Sequence, residues 1–490
     1  MDAKSSNEFD IIVVGGGGSG LATAASAIEN GAKVLLLEKQ SRLGGTTGMA
    51  VGSFTANRTS YQFRAGIEDS LADHDEDCGR FARSEIESRN ATELRRFFLS
   101  HTAETLEWLR KKGLVFHGPS PEPPNRVPRM HNVVPSAKAY IDALSAVVKK
   151  GGGRIECNAS VIDLIRSENA IEGVDVRFSS DGREESFYAT SGVVLAAGDY
   201  ANSSRLIARF KGDEFSQIEG INPNSHGDGH SLVESVGGAL VNMDITYGPE
   251  LRFVPPKAGP SHFLSKLPTR GPFARYFYRL TPWMPKRLVA AITKRLIVTW
   301  QHPEDSLFQY GAILVNGEGK RFCDETKWPE REIAVARQPD KVAFILLNEE
   351  TCEKFSRWPH FVSTAPQIAY AYVDDYLRLR PDVSFECKTL EALAKKAEIS
   401  PHNLIESAAG MQPGSRWVLL GPVKAYFTTT EGGAAINQEF SVLDKAGEPI
   451  RNLYAVGQNG LGGQILWGHG LHIAWAITSG RLCGQYLARL

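Results

Sequence analysis

Phe9-Asp10-Ile11-Ile12-Val13-Val14 runs without a break into Gly15-Gly16-Gly17-Gly18-Ser19-Gly20, then Leu21 to Asn30, and then Val34-Leu35-Leu36-Leu37-Glu38-Lys39. An apolar strand, a Gly-x-Gly-x-x-Gly turn, a helix rich in small residues and a second apolar strand ending in an acid describe one βαβ unit. Each glycine has a separate task. Gly15 permits the tight turn, Gly17 lets backbone approach a pyrophosphate, and Gly20 lets the helix pack on the strand, with Ser19 in the first turn of the phosphate-binding helix. Glu38 then stands where a pair of ribose hydroxyls is accepted.

The next segment separates nicotinamide from flavin. Lys39 is followed by Gly44-Gly45-Thr46-Thr47-Gly48, a second backbone-rich loop able to wrap the far side of a pyrophosphate. Flavoproteins with a two-dinucleotide-binding fold carry such an extension. Val193 to Gly198 reads as a strand ending in small residues beside the cofactor at Ala197 and Gly198, and Asn452 to Gln458 as a strand entering a further glycine turn at Gly457 and Gln458. The strand "ASVIDLI" brings the Val161 backbone to the adenine edge. These pieces, in this order, predict bound FAD.

At 490 residues and 42% hydrophobic composition the chain can bury a large core and divide into two domains. A net charge of −1 gives no global attraction to nucleic acid. Six scattered cysteines show neither metal-ligand nor disulfide spacing, which fits reduced thiols in the cytoplasm. The polar start, Met1 to Glu8, leaves no room for a signal peptide, and no segment offers the ~18 uninterrupted apolar residues of a membrane span. Strand and helix signals alternate to about residue 245, proline and aromatic residues dominate to about 417, and short strands then return. The expected architecture is α/β. A Rossmann-like two-dinucleotide-binding FAD domain (1–245 and 418–490) carries an inserted α+β substrate-capping domain (246–417).

The fingerprint, "HGDGHSLVESVGGALVNMD" (His226 to Asp244, with Asp228 placed at the cofactor), "GAILVNGEGKRFCDE", "EGGAAIN" and the run from "NLYAVGQ" to "SGRLCG" together resemble the flavoprotein family of soluble fumarate reductases and 3-ketosteroid dehydrogenases. The resemblance implies FAD held non-covalently, since no His-x-x-x-Gln-Gly-type loop follows Thr47. It also implies chemistry at a CH–CH bond beside an electron-withdrawing group. Fumarate reductases grip a dicarboxylate with two histidines and two arginines; by register those places fall near Leu251, Trp328, Thr429 and Trp467, none of them cationic. An indole in place of a guanidinium removes the bidentate carboxylate fork and leaves an apolar wall. The resemblance therefore leans toward the ketosteroid dehydrogenase branch and a neutral, cyclic, lipophilic ketone. Trp328, Thr429, Trp467 and His469 would line the pocket, and electrons would pass to a quinone or similar acceptor. Gly468 to Ile473 opens an apolar helix whose N-terminus, at Leu471, His472 and Ile473, would face the flavin N1/C2=O edge. The rival reading, reduction of C=C in an unsaturated acid, needs Arg331 and His469 in the pocket. A flavin-binding subunit without catalysis is the alternative of another class.

Desaturating a ketone needs a donor at the carbonyl and a base for the α-proton. Tyr426 is the first candidate donor, with Tyr247 and Tyr310 as alternatives. His131, in a loop resembling the family's His-bearing loop, is read as a structural or proton-transferring residue, and Arg331 as the partner of Glu325 or Glu330. The segment 251–303 carries ten Lys or Arg and no Asp or Glu, interleaved with aromatics and with helical spacing across Lys286 to Trp300. That pattern suits peripheral contact with an anionic membrane.

Overall fold

In the computed structural model the glycine-bearing segment forms the strand Glu8–Val14, the helix Gly18–Glu29 and the strand Val34–Leu37. The two strands are parallel, Ile11 opposite Val34 and Val14 opposite Leu37. The structure describes residues 7–168, 170–256, 268–269, 271, 276, 290–291, 294–295, 297–299, 301–365 and 369–490. Val34 to Leu37 are all buried, as a parallel strand covered on both faces requires. Around this pair an eight-stranded sheet runs in the order Ser441–Leu443, Pro449–Ala455, Glu184–Leu195, Glu8–Val14, Val34–Leu37, Arg154–Glu156. The antiparallel pair Ala159–Arg166 and Ile171–Phe178 joins it through the first half of Glu184–Leu195. The glycine turn, Ala197-Gly198 and Gly457 follow strands Glu8–Val14, Glu184–Leu195 and Pro449–Ala455, so all three open at the same C-terminal edge of the sheet.

Helix Leu471–Leu487 lies against the first helix with almost no spacing. A Cβ built on Gly480 would stand 2.2 Å from the Ser19 carbonyl oxygen, and one on Gly484 2.2 Å from that of Thr23. The small residues of "GSGLATAASAIE" are thus what lets the C-terminal helix dock.

A second, six-stranded sheet is built on the eleven-residue strand Trp417–Phe427, which pairs with Glu250–Phe253, Ala343–Leu347, Ser384–Cys387 and Glu219–Gly220. Ile313–Val315 extends it from Ala343–Leu347. Val418, Leu420, Val423, Ala425 and Phe427 pack with Phe253, Leu347 and Tyr376 in a separate core. Residues 418–427 therefore go with the inserted sheet, and packing into the first core resumes at Ala434. The 417/418 division falls one residue into this strand because its apolar run, read without partners, suits either sheet. Two short ribbons join the units: Leu240–Val241 pairs with Gly433–Ala434, and Thr246–Tyr247 with Thr429–Thr430.

Most of 251–303, the cationic stretch, lies outside the described residues. Of its ten cations, Arg252 pairs with Glu250 and Lys294 with Asp375 at 2.7 Å. Ile297 and Val298 are buried in the second core, and the Arg380 guanidinium donates to the carbonyls of Val298 and Thr299. Among the described residues no helix is long and apolar enough to cross a membrane, and no three His, Cys, Asp or Glu gather as a metal site.

Candidate active site

At the C-terminal edge of the first sheet the glycine loops fold over one another. Gly15 takes φ +111°, and a Cβ there would meet the Ala196 carbonyl oxygen at 2.4 Å; one on Gly20 would meet that of Gly15 at 1.9 Å. Gly17 differs: its Cβ would find Gly44 and Gly45 only at 3.9 Å, so the space beside it is left for something other than protein. The second loop reaches back as expected, with Gly44 N–H donating to Gly16 C=O at 3.0 Å and Gly45 at φ +52° packed on Gly17. Thr46 accepts from the Asn222 amide, and Thr47 lies under Gly18.

Glu38 accepts the backbone N–H groups of Gly16 and Gln40, both at 2.8 Å, which fixes its carboxylate at the sheet edge. Ala159 N–H donates to the Glu38 carbonyl, so the strand bearing Val161 starts beside it. Lys39 pairs with Asp228 at 2.6 Å and donates to the Asn224 carbonyl. Gly457, at φ +61°, crosses over Ser19, and Gln458 donates to the Thr429 hydroxyl and the Thr430 carbonyl.

This edge is short of hydrogen-bond partners. Asp199 Oδ1, Gln458 Oε1, Asn459 Nδ2 and Thr430 Oγ1 are buried without one. Buried polar groups are ordinarily paired. Such orphans, open space at Gly17 and Gly198, and a preset carboxylate at Glu38 suit a dinucleotide with polar atoms along its length. FAD fits these residues. The glycine loops would take its pyrophosphate, Glu38 its ribose, and Asp199, Gln458 and Asn459 its remaining polar atoms.

The start of helix Leu471–Leu487, with Gly470 left-handed at φ +82°, faces a second group of residues. His472 bonds Glu431 at 2.7 Å, and the fully buried Glu431 also accepts Leu466 N–H. Trp467 meets Tyr247 edge to face at 5.8 Å between ring centres, and its indole Nε1 is buried without a partner. His469 bonds Glu122. Glu250 accepts from Arg252 and Thr428, and His302 lies 3.9 Å from it. Burial, and then Glu250, push the Tyr247 phenol up to about 12, so it remains a hydrogen-bond donor.

Three of the candidate residues lie as follows. Tyr310 is 45% exposed on the inserted unit beneath Lys354, packed with Phe355 and His360, and stands apart from both groups. Tyr426 sits in the second sheet opposite Glu219 and Glu250, its phenol raised to about 12 by burial and then Glu219. His131 is fully buried, bonding Thr59 Oγ1 and the Phe54 carbonyl, and burial pulls it down to about 4, the signature of a neutral structural imidazole.

Among the pocket positions, Thr429 turns to Asp199 and Gln458 on the cofactor side, and Leu251 is buried in the second core. Trp328 donates to the Pro249 carbonyl at 2.8 Å with Arg83 over its ring. Arg331 binds Glu332 and Asp305, and reaches Glu325 only at its backbone carbonyl. Sequence reasoning passed over Glu122, Glu250, Arg252, His302 and Asp199. Asp199 directly follows the strand-end block and was within reach; Glu122 sits in "SPEPPN" with no periodicity to mark it.

Comparison with known proteins agrees with the cofactor assignment. The profile of the FAD binding domain family matches residues 10–260 and 278–464. The chain belongs to that family and is a flavoprotein of the oxidoreductase class. It is 24% identical to an NADH:fumarate oxidoreductase of Klebsiella pneumoniae across 98% of this chain, but spans only 48% of that relative's length. It is 25% identical to a fumarate reductase of Schizosaccharomyces pombe, covering 99% of this chain and 90% of the other. A vinyl phenol reductase of Lactiplantibacillus plantarum is 24% identical, covering 100% and 98%. Among solved structures, an open flavocytochrome c3 fumarate reductase superposes with a TM-score of 0.73 at 22% identity, covering 99% of this chain and 78% of that one. A 3-ketosteroid Δ1-dehydrogenase of Sterolibacterium denitrificans gives 0.64 at 16%, covering 99% and 100%. Fold similarity thus extends to both kinds of enzyme, while two of these three sequence relatives are named reductases and the third an NADH:fumarate oxidoreductase.

Proposed function

We propose that this chain exchanges hydrogen across a C–C bond next to the carbonyl of a neutral, ring-shaped, lipophilic substrate, with electrons passing to or from a quinone or similar carrier. One observation carries the reading. Arg331, the arginine nearest the dicarboxylate-gripping register, is committed to Asp305 and Glu332, while Trp467 and Tyr247 pack edge to face at the start of Leu471–Leu487. Aromatic faces favour a ring, and an indole lacks the bidentate fork that grips a carboxylate, leaving His469 and the Glu250-paired Arg252 as the basic groups near the site. FAD, when bound, supplies hydride exchange at its N5. Tyr247, kept protonated, donates to the carbonyl oxygen, and the unpartnered Trp467 N–H offers a second donor.

Reduction of an activated C=C is the second reading. The Lactiplantibacillus relative favours it, since its name specifies a vinyl phenol and the match covers both chains nearly end to end. The test is anaerobic. Oxidised holoenzyme is mixed with saturated cyclic ketones, and reduced holoenzyme with 2-cyclohexen-1-one, 4-vinylphenol and fumarate, following the visible flavin band. Bleaching or recovery with neutral ring compounds is expected. Fast, saturable recovery with fumarate alone would overturn the proposal.

The cationic, aromatic composition of 251–303 supports a further part of the reading, peripheral contact with anionic lipid that delivers such a substrate. Sedimentation with anionic liposomes at low salt is expected, and its absence in wild type removes this part. Charge reversal at Arg275, Arg279, Lys286 and Arg287 should abolish it.

A further inference from the structure

Resting on the reaction class above, we infer that His469 gives the substrate its proton and that Glu122 is the positioning residue that holds the imidazole for the task. The geometry is a clamp on one residue. Glu122 Oε1 lies 2.5 Å from His469 Nδ1 and accepts the His469 backbone N–H at 2.8 Å. Thr55 Oγ1 donates to the His469 carbonyl at 2.6 Å. Ring and backbone are both fixed, and with Nδ1 committed to a carboxylate, Nε2 is the nitrogen left for exchange. The two partners differ sharply in exposure: the Glu122 side chain is 8% exposed and that of His469 62%. A buried acid anchors an exposed imidazole. Trp467 lies two residues before it and Leu471, the first residue of the C-terminal helix, two residues after.

Among the described residues, two carboxylates, a guanidinium and a second imidazole bear on this ring. Glu122 and Glu250 favour its cation; Arg252 and His302 oppose it. The hydrogen bond to Glu122 is the largest influence and holds His469 above the ordinary imidazole value. A carboxylate that favours the protonated ring suits donation, and hence the reducing direction. In that step the Nε2–H bond breaks with its electron pair staying on nitrogen. The proton bonds to the carbon α to the activating group, using the π pair of C=C. The hydrogen and two electrons taken up at the neighbouring carbon are those supplied by FAD in its reduced form. Neutral imidazole then regains a proton from water.

The experiment uses holoenzyme reduced anaerobically, with 4-vinylphenol and 2-cyclohexen-1-one as oxidants. Rates are normalised to reoxidation by ferricyanide, which needs no proton transfer to carbon. His469→Gln should slow the normalised rate ~100-fold or more, the range of general acid catalysis. Glu122→Gln should slow it about tenfold and move the alkaline limb of the pH profile down toward an ordinary imidazole. NMR titration of the His469 ring in oxidised protein should show the same fall in Glu122→Gln, independently of turnover. With 2-cyclohexen-1-one, wild type in D2O should place one deuterium on the carbon α to the ketone; with 4-vinylphenol, whose hydroxyl pushes electrons toward the terminal carbon, the deuterium should appear on the methyl group. A His469→Gln enzyme with wild-type normalised rate and pH profile overturns the proposal, as does a Glu122→Gln enzyme whose limb and ring titration both stay in place. A wild type that neither probe reoxidises overturns the reaction class, and this proposal falls with it.

Discussion

Gly480 faces the Ser19 carbonyl across the two helices that flank the cofactor edge, leaving 2.2 Å for any Cβ. Gly480→Ala must push the helices apart, and overpacking of this kind costs ~1–3 kcal/mol. The loss is expected in urea denaturation. Because the first helix starts at the phosphate-binding turn, FAD retention on gel filtration should fall with it.

Gly17 and Gly20 should separate binding from folding. Gly17→Val places its side chain in space that protein does not occupy, so near-native circular dichroism with loss of the yellow colour is expected. Gly20→Ala meets the Gly15 carbonyl at 1.9 Å and should fail to yield folded protein. A Gly17→Val protein that keeps full flavin absorbance would show that the pyrophosphate lies elsewhere.

Those glycines were legible because each meets a backbone demand that a side chain cannot satisfy. The substrate side was not. Glu122 and His469 are 347 residues apart in sequence, and nothing local to either predicts the other. Tyr426 shows how residue type misleads. Along Trp417–Phe427, half-buried Pro422, Lys424 and Tyr426 alternate with buried Val423, Ala425 and Phe427, and that alternation, rather than closeness to "TTTEGG", decides where the ring goes.

Arg331 should prove structural. Burial lifts the Glu332 carboxyl to about 7 even with Arg331 beside it, so Arg331→Gln leaves an uncompensated buried acid. Breaking such a pair costs ~3–5 kcal/mol. The cost should be larger at pH 8 than at pH 6, where protonating Glu332 relieves it, and urea midpoints at the two pH values measure this. Normalised turnover of a neutral substrate should be unchanged.

His131 sets an acid limit. Its folded pKa of about 4 lies below the unfolded value of ~6.5. Its full contribution is therefore present above pH 6.5 and is lost as pH falls toward 4, up to ~3 kcal/mol from this residue. Unfolding free energies at pH 7, 5.5 and 4.5 should decline more steeply in wild type than in His131→Gln.

The two ribbons between the units have a mechanical consequence. Two of the segments that run between the units, Thr246–Tyr247 and Thr429–Thr430, are hydrogen-bonded to each other. These two segments therefore act as one double-stranded pin. Tyr247 touches Trp467 on the substrate side, and Thr429 holds Asp199 and Gln458 on the cofactor side. A displacement of this pin would move both residues together, so a change on the substrate side would also alter the grip on the cofactor's neighbours.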